Sequence, residues 1–520
     1  MKALLVTGKL AETMVNRYAQ ESSIETTVLA LKVPVAALLT PKYIAQEIIE
    51  EDLRDFDMVL VPGLIPGDVS LIEKAVGIPV FKGPRYAADL PTVLNALGHV
   101  DLSKVVPACD LLKEDLQRKA EEELNAVERN RDKLLKKEGN LLIGDLAVGK
   151  DFPMRIMAEI IDAPLLSNEQ IREKARKYVK TGAEIIDVGM IAGESRPADA
   201  ERAVKAVKSA VNVPVSIDTL DPKEARNAVH SGAQIILSVE ASNMEEMAKF
   251  ASEVAVVVIP IDQSRGHFPK EAEERVKKLE ENIRRASKFG VARVLGDLIL
   301  DSVNVPGTVE SLVAYHSFAA RNPHVPLLFG AGNVTELIDA DSVGVNALLA
   351  GIASEIGASI LLTTEQSHKM RGSIKELATA SEMMWLAKKR SSVPKDLGLD
   401  LLRLKDKRIR EEPYNHVMEK KTQTIIAEKS KRVKFDPKGF FKIMIDRERE
   451  AIVALHFSTA TQKIPDLIVK GKEAVELCGK IMEMGLVTTL EHAAYLGTEL
   501  GKAEVALRSV KEYIQGDPLF

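Results

Sequence analysis

In the middle of this 520-residue chain, carboxylates recur near the ends of evenly spaced apolar runs. They are Asp162, Asp187, Asp218, Glu240, Asp262, Asp297 and Glu365, joined by the carboxamide Asn333. Carboxylates gathered in one buried place must be offset by cations or hydrogen-bond donors, or their pKa values rise. The nine histidines are scattered and Cys109 and Cys478 lie far apart, so no nitrogen- or sulfur-rich metal set is present. Two chemistries then remain open. One is a hard cation such as Mg2+ held by oxygen ligands. The other is a flat heterocycle whose ring N–H stands beside an exocyclic amino group, since one carboxylate accepts both hydrogens.

A second feature suits an anion. In Ser367-His-Lys369-Met-Arg371-Gly372-Ser373-Ile-Lys-Glu376, Ser373 and Glu376 have capping-box spacing and predict a helix start, with Lys369 and Arg371 beside its backbone N–H groups. Arg196, in Gly193-Glu-Ser-Arg-Pro197, is a further anion contact or else the ion-pair partner of Glu194.

The elements that must position these residues follow from the apolar pattern. Eight candidate strands run over Arg155 to Asp162, Ala183 to Met190, Pro214 to Thr219, Ala233 to Glu240, Val254 to Ile261, Ala292 to Asp297, Pro326 to Gly332 and Ala358 to Thr364. Helical periods such as Glu169 to Lys180 and Pro222 to Ser231 fill the gaps. Strand starts repeat roughly every 29 residues, which matches a (β/α)8 TIM barrel better than a doubly wound sheet. Continuous apolar strands fit burial on both faces, and active sites of such barrels lie at the strand C-terminal ends.

The fold class is therefore α/β, with flanking modules. Residues 1–108 read as an open α/β domain, 109–140 as a charged helical connector, 141–387 as the barrel, 388–430 as a basic connector and 431–520 as a small α+β domain. The last of these opens on a hairpin, Gly439 to Asp446 and Glu450 to Phe457, and ends on a helix from Glu491 to Tyr513 that carries His492.

Charge excludes one broad class of function. With 71 Lys+Arg against 76 Asp+Glu, the net charge of −5 leaves no basic excess for a general nucleic-acid binder. The longest stretch free of Asp, Glu, Lys and Arg is residues 322–335, short of a membrane span, so no membrane helix is expected. Two distant cysteines fit a cytoplasmic location.

Thr181-Gly-Ala-Glu-Ile-Ile-Asp-Val-Gly189 with Gly193-Glu-Ser-Arg-Pro197, then Val213-Pro-Val-Ser-Ile-Asp-Thr219 and Ser231-Gly-Ala-Gln-Ile-Ile236, resemble the pterin-binding barrel of dihydropteroate synthase over about Leu141 to Leu386. The flanking segments, including Glu491-His-Ala-Ala-Tyr-Leu-Gly497, resemble a larger dihydropteroate synthase-like family associated with tetrahydromethanopterin. The resemblance implies that Asp218 and Asp297 hold the pyrimidine edge of a pterin and that Asp162, in place of the family's strand-one Asn, is a Mg2+ ligand; Asp187, mid-strand and facing the barrel core or the mouth, is a further pterin candidate. It implies a transferase of tetrahydromethanopterin or folate biosynthesis that joins a pterin-methyl diphosphate to an arylamine with Mg2+.

The sequence departs from that pattern at strand seven, where Gly332-Asn333-Val334 replaces the family's Ser-Arg-Lys, and at strand eight, which lacks Arg-x-His. Gly330-Ala-Gly-Asn-Val-Thr335 with Val345-Asn346-Ala-Leu-Leu-Ala350 instead resembles pterin-dependent methyltransferases, in which Asn333 would sit near N5. That resemblance implies methyl transfer from N5 with a corrinoid protein as partner. A non-catalytic pterin scaffold is the third reading, and a homodimer is the expected assembly.

Overall fold

The computed structural model describes residues 1–49, 51–395, 397–405, 414, 422–427 and 436–520. They form two compact units, Met1–Leu401 and Leu402–Phe520. Parts of the basic connector expected at 388–430, namely residues 396, 406–413, 415–421 and 428–430, lie outside the described residues.

The first unit opens with four parallel strands in the order β2-β1-β3-β4, namely β1 (Lys2–Gly8), β2 (Glu25–Leu31), β3 (Met58–Val61) and β4 (Val80–Lys82). Alternate residues of β1 enter different cores. Leu4 and Val6 pack with Ile44, Ile48 and Ile72 on one face, while Ala3 and Leu5 pack with Val15, Ala19 and Leu94 on the other. Both faces are thus covered by helices, which is why these strands read as unbroken apolar runs. The helix Ala108–Arg129 follows, and its Glu123 pairs with Lys389 at 3.2 Å and Arg390 at 3.0 Å.

A two-stranded hairpin then precedes the barrel, with β5 (Asn140–Ile143) and β6 (Leu146–Gly149) antiparallel. It plugs the barrel floor: Ile143 and Val148 share one cluster with Met157, Ile185, Ile235, Val257, Leu295, Leu328 and Ile360, which point inward from the barrel strands.

The barrel strands are β7 (Arg155–Ile160), β8 (Ile185–Gly189), β9 (Val215–Asp218), β10 (Ile235–Val239), β11 (Ala255–Val258), β12 (Val294–Gly296), β13 (Leu328–Phe329) and β14 (Ile360–Thr364). All pairs are parallel, in the order β12-β11-β10-β9-β8-β7-β14-β13. A single bridge, Gly296 to Leu327, closes the ring, with Gly296 N–H donating to the Pro326 carbonyl at 2.9 Å. A helix follows every strand, from Asn168–Lys180 after β7 to Ser373–Lys389 after β14. The chain is a closed (β/α)8 barrel with extra α/β and α+β parts, as the spacing of apolar runs predicts.

One strand is corrected. The seventh, expected over Pro326 to Gly332, is only Leu328–Phe329, and Ala331–Thr335 is a short helix. Gly332 passes so near β14 that a Cβ there would lie 3.1 Å from Thr363 Cα, and Thr335 Oγ1 donates back to the Ala331 carbonyl at 3.1 Å. Close approach, not β propensity, shapes this segment.

The second unit contains the antiparallel meander β15 (Phe440–Asp446), β16 (Ala451–Phe457) and β17 (Leu467–Gly471), with helices Ala474–Glu483 and Leu490–Ser509. Phe441, Ile443, Ile452 and Val469 face Leu477, Ile481, Leu496 and Leu500 across its core. Asp436 ties the segment before β15 to the start of the last helix by accepting from the N–H groups of Lys438, Thr488 and Thr489 at 2.9, 2.7 and 3.0 Å. His492 Nδ1 lies 3.2 Å from the same carboxylate, so it serves this clamp. No helix among the described residues is long and apolar enough to cross a membrane.

Candidate functional site

Strand alternation and register build the site. Met157 points into the barrel floor, so Glu159, two residues on, points inward one layer higher. The register places Glu159 beside Asp187, Asp187 beside Ser216, and Gly189 beside Asp218. Oxygens of Glu159, Asp187 and Asp218 all lie within 4.8 Å of one another. A Cβ on Gly189 would overlap Glu159 Oε1, so that glycine makes room for the carboxylate.

Few donors meet this charge. Ser216 Oγ donates to Asp187 Oδ1 at 2.5 Å, but Asp187 Oδ2 is buried with no hydrogen-bond partner. Ser238 Oγ donates to Asp218 Oδ1 at 2.5 Å. Ser238 has φ 61 at a register shift between β10 and β11, a conformation that serves to aim its hydroxyl. No hydrogen bond reaches the Glu159 carboxylate from the described residues. Burial is the main force on each group. It pushes Glu159 up to about 7, with Asp218 and Asp162 adding repulsion. It pushes Asp187 well above the usual range, with Asp218 and Glu159 adding to it, and raises Asp218 against the opposing Ser238 hydrogen bond. Three oxygens so placed attract a hard cation, a proton or N–H donors.

Asp297 stands at the end of β12. Its Oδ1 accepts from the Tyr315 hydroxyl at 2.5 Å and the Ile299 N–H at 2.8 Å. Burial raises Asp297 to about 6 in spite of both bonds, and Asp218 contributes to the rise. Asp301, a near neighbour in sequence, is instead paired with Arg275. Asn333 lies in the first turn of Ala331–Thr335 and is exposed, with Nδ2 donating to the Leu300 carbonyl at 3.0 Å.

Asp187, Asp218 and Asp297 therefore converge at the mouth, and Glu159, which the strand-end argument passed over, joins them. Asp162 lies outside this group of three, exposed at φ 50 just past the end of β7, though near enough to Glu159 to add to its rise. The rest of the expected carboxylate ring is engaged elsewhere. Glu240 accepts from the N–H groups of Ser242, Asn243 and Gln263, Asp262 lies 3.7 Å from Lys278, and Glu365 pairs with Lys177 at 3.0 Å.

The expected anion site also dissolves. Gly372, left-handed at φ 95, is the N-cap in place of a capping box, and Ser373 is fully buried. Glu376 instead accepts from Asn346 Nδ2 at 2.8 Å, and Asn346 Oδ1 accepts from Thr335 at 2.8 Å, a buried chain that ties three helices. Lys369 donates to the Ile338 carbonyl, and Arg196 pairs with Glu194 at 2.5 Å and Asp199 at 3.6 Å. Of the cations expected at this site, only the Arg371 guanidinium has no ion pair or hydrogen bond among the described residues.

Residues 162–344 match the family model described as pterin binding enzyme. Residues 435–516 match PterinBD-DUF4346, and residues 1–85 match a family of unknown function, DUF6513. The match to the pterin binding enzyme family lies within the closed parallel barrel. The chain is 42% identical over 535 residues to the uncharacterized protein MJ0107 of Methanocaldococcus jannaschii, covering 100% of this chain and 99% of that one, and it belongs to that protein's family.

A Ycf91-like protein of Nostoc sp. is 36% identical over 109 residues, 16% of this chain and 86% of the relative. Among solved structures, dihydropteroate synthase of Xanthomonas albilineans with indole-2-carboxylic acid and 6-chloroguanine is 19% identical. It covers 49% of this chain and 98% of its own at a TM-score of 0.41. The Yersinia pestis enzyme with a sulfonamide drug complex is 18% identical, covering 49% and 100% at a TM-score of 0.40.

Proposed function

We propose that the barrel mouth binds a pterin of the tetrahydromethanopterin or folate type, with Asp218 and Asp297 accepting the N–H groups of its pyrimidine edge. The observation that carries this reading is the convergence of Glu159, Asp187 and Asp218 within 4.8 Å, with one buried oxygen left unpartnered. A ligand edge rich in N–H donors removes that deficit without a metal or a covalent step.

Between the two group transfers open to a pterin, the site favours the one with no diphosphate to hold. Lys369 and Arg196 are committed within the protein and Ser373 is buried, which leaves Arg371 alone of the expected anion contacts without a partner among the described residues. Methyl transfer from N5 to a nucleophile, such as the metal of a reduced corrinoid protein, leaves the N5 lone pair to take up a proton. Glu159, held near 7 by burial beside Asp218, is a group that can give one at neutral pH.

Fluorescence titration with oxidised and reduced pterins tests the binding claim on Asp218→Asn and Asp297→Asn. Each is expected to weaken binding about tenfold or more, the effect of a lost charge-assisted hydrogen bond. Undiminished affinity in both variants overturns the reading. Product formation from a pterin diphosphate, an arylamine and Mg2+ overturns the preference for methyl transfer.

A further inference from the structure

We infer that Tyr315 is a positioning residue for pterin recognition, whose hydroxyl commits one oxygen of Asp297 to the protein and leaves the other for the ligand. This rests on the pterin reading above. Tyr315 lies on the helix Thr308–Arg321 behind the barrel wall and is fully buried, its ring 5.1 Å from that of Phe329. Packing there requires only a ring, which phenylalanine also supplies. The hydroxyl needs a partner when buried, and it has two: Asp297 Oδ1 at 2.5 Å and the Leu328 carbonyl at 3.0 Å.

Those two partners belong to the ends of β12 and β13, the strands joined by only one bridge. The phenol therefore spans the weakest seam of the barrel. Asp297 Oδ1 is fixed from a second side by the N–H of Ile299, a β-branched residue held at φ 63, a conformation that persists only where the surroundings impose it. No hydrogen bond from the described residues reaches Asp297 Oδ2.

The charges around this pair are few. Asp218 raises Asp297, while Arg275, held by Asp301 and by the Leu298 and Ile299 carbonyls, lowers it. Tyr315 itself is pushed well above its usual range by burial and by Asp297, so it stays a donor at every pH of interest.

The test is Tyr315→Phe, titrated with a reduced pterin from pH 5 to pH 9, with folding checked by circular dichroism. Titration of the ligand and of Glu159, Asp187 and Asp218 is common to wild type and variant, so the comparison isolates Asp297. Loss of the donor should move the acid limb of binding up by about one pH unit. Affinity should then fall about fivefold at pH 6 and match wild type at pH 9. In an Asp297→Asn background the same change should add no pH dependence.

A uniform loss across pH, or an unchanged profile, overturns the inference while Asp297→Asn still impairs binding. Full affinity in Asp297→Asn overturns the pterin reading itself. Should Tyr315→Phe not fold, 3-fluorotyrosine at position 315 keeps the packing and strengthens the donor. The limb must then move to lower pH, and a limb that stays in place overturns the inference.

Discussion

One barrel strand, β7, carries a charge at its base and another near its mouth, and the two are treated in opposite ways. Arg155 is buried with each of its three guanidinium nitrogens engaged: Nε donates to the Ala147 carbonyl, Nη1 to Glu184 and Nη2 to Glu128, each at 2.7 Å. Those contacts bind strand, floor hairpin and connecting helix together. Glu159, four residues on, has no donor among the described residues and faces two other carboxylates. Charge placed for stability arrives with its partners, whereas charge left without them marks the place where the fold gives up stability for a ligand.

The comparison is broken or sharpened most strongly at the base. Arg155→Met should lower the free energy of unfolding by about 3 kcal/mol, because Glu184 and Glu128 lose their cation. Pterin affinity should stay within about twofold, since the change lies at the far end of the barrel. A urea midpoint close to wild type would show that the base is not an anchor.

At the mouth the sign reverses. The folded value of Glu159 is raised from 4.5 to about 7, so the folded protein keeps a proton that the unfolded chain has already lost. Ionising this group therefore destabilises the fold progressively as pH climbs from about 4.5 through about 7. Glu159→Gln should gain about 2–3 kcal/mol at pH 8 and almost nothing at pH 4, read from urea unfolding at both. A gain equal at the two pH values would remove the electrostatic account of the mouth.

These contrasts also explain what could be read from sequence. The eight barrel strands are legible because each is a short apolar run buried on both faces. Asp187, Asp218 and Asp297 are legible because each lies on or just after a strand near its C-terminal end. Glu159 was missed because inward direction depends on a period of two counted from Met157 and on pairing with Asp187, neither visible when only the last residue of a strand is weighed. Asp162, the last residue of the expected strand, lies past the end of β7 in a left-handed turn. The floor hairpin did leave a signal, since Gly144-Asp145 separates two apolar runs as a two-residue turn does. The Ser373 and Glu376 spacing marks a true helix start at Ser373, but no capping box forms there, because Glu376 accepts from Asn346 instead.

The smallest effect is expected where sequence placed an anion site and the structure places a strut. Lys369 donates to the Ile338 carbonyl, joining the loop after β14 to the segment after β13. Lys369→Ala removes one such bond, so the cost should be about 1 kcal/mol or less by thermal unfolding. Pyrophosphate affinity, measured by calorimetry, should be the same in variant and wild type. A tenfold loss of that affinity would mean that the lysine leaves its carbonyl for an anion. Lys369 would then join Arg371 as a cation free to hold an anion, and the preference for a pterin without a diphosphate would lose its support.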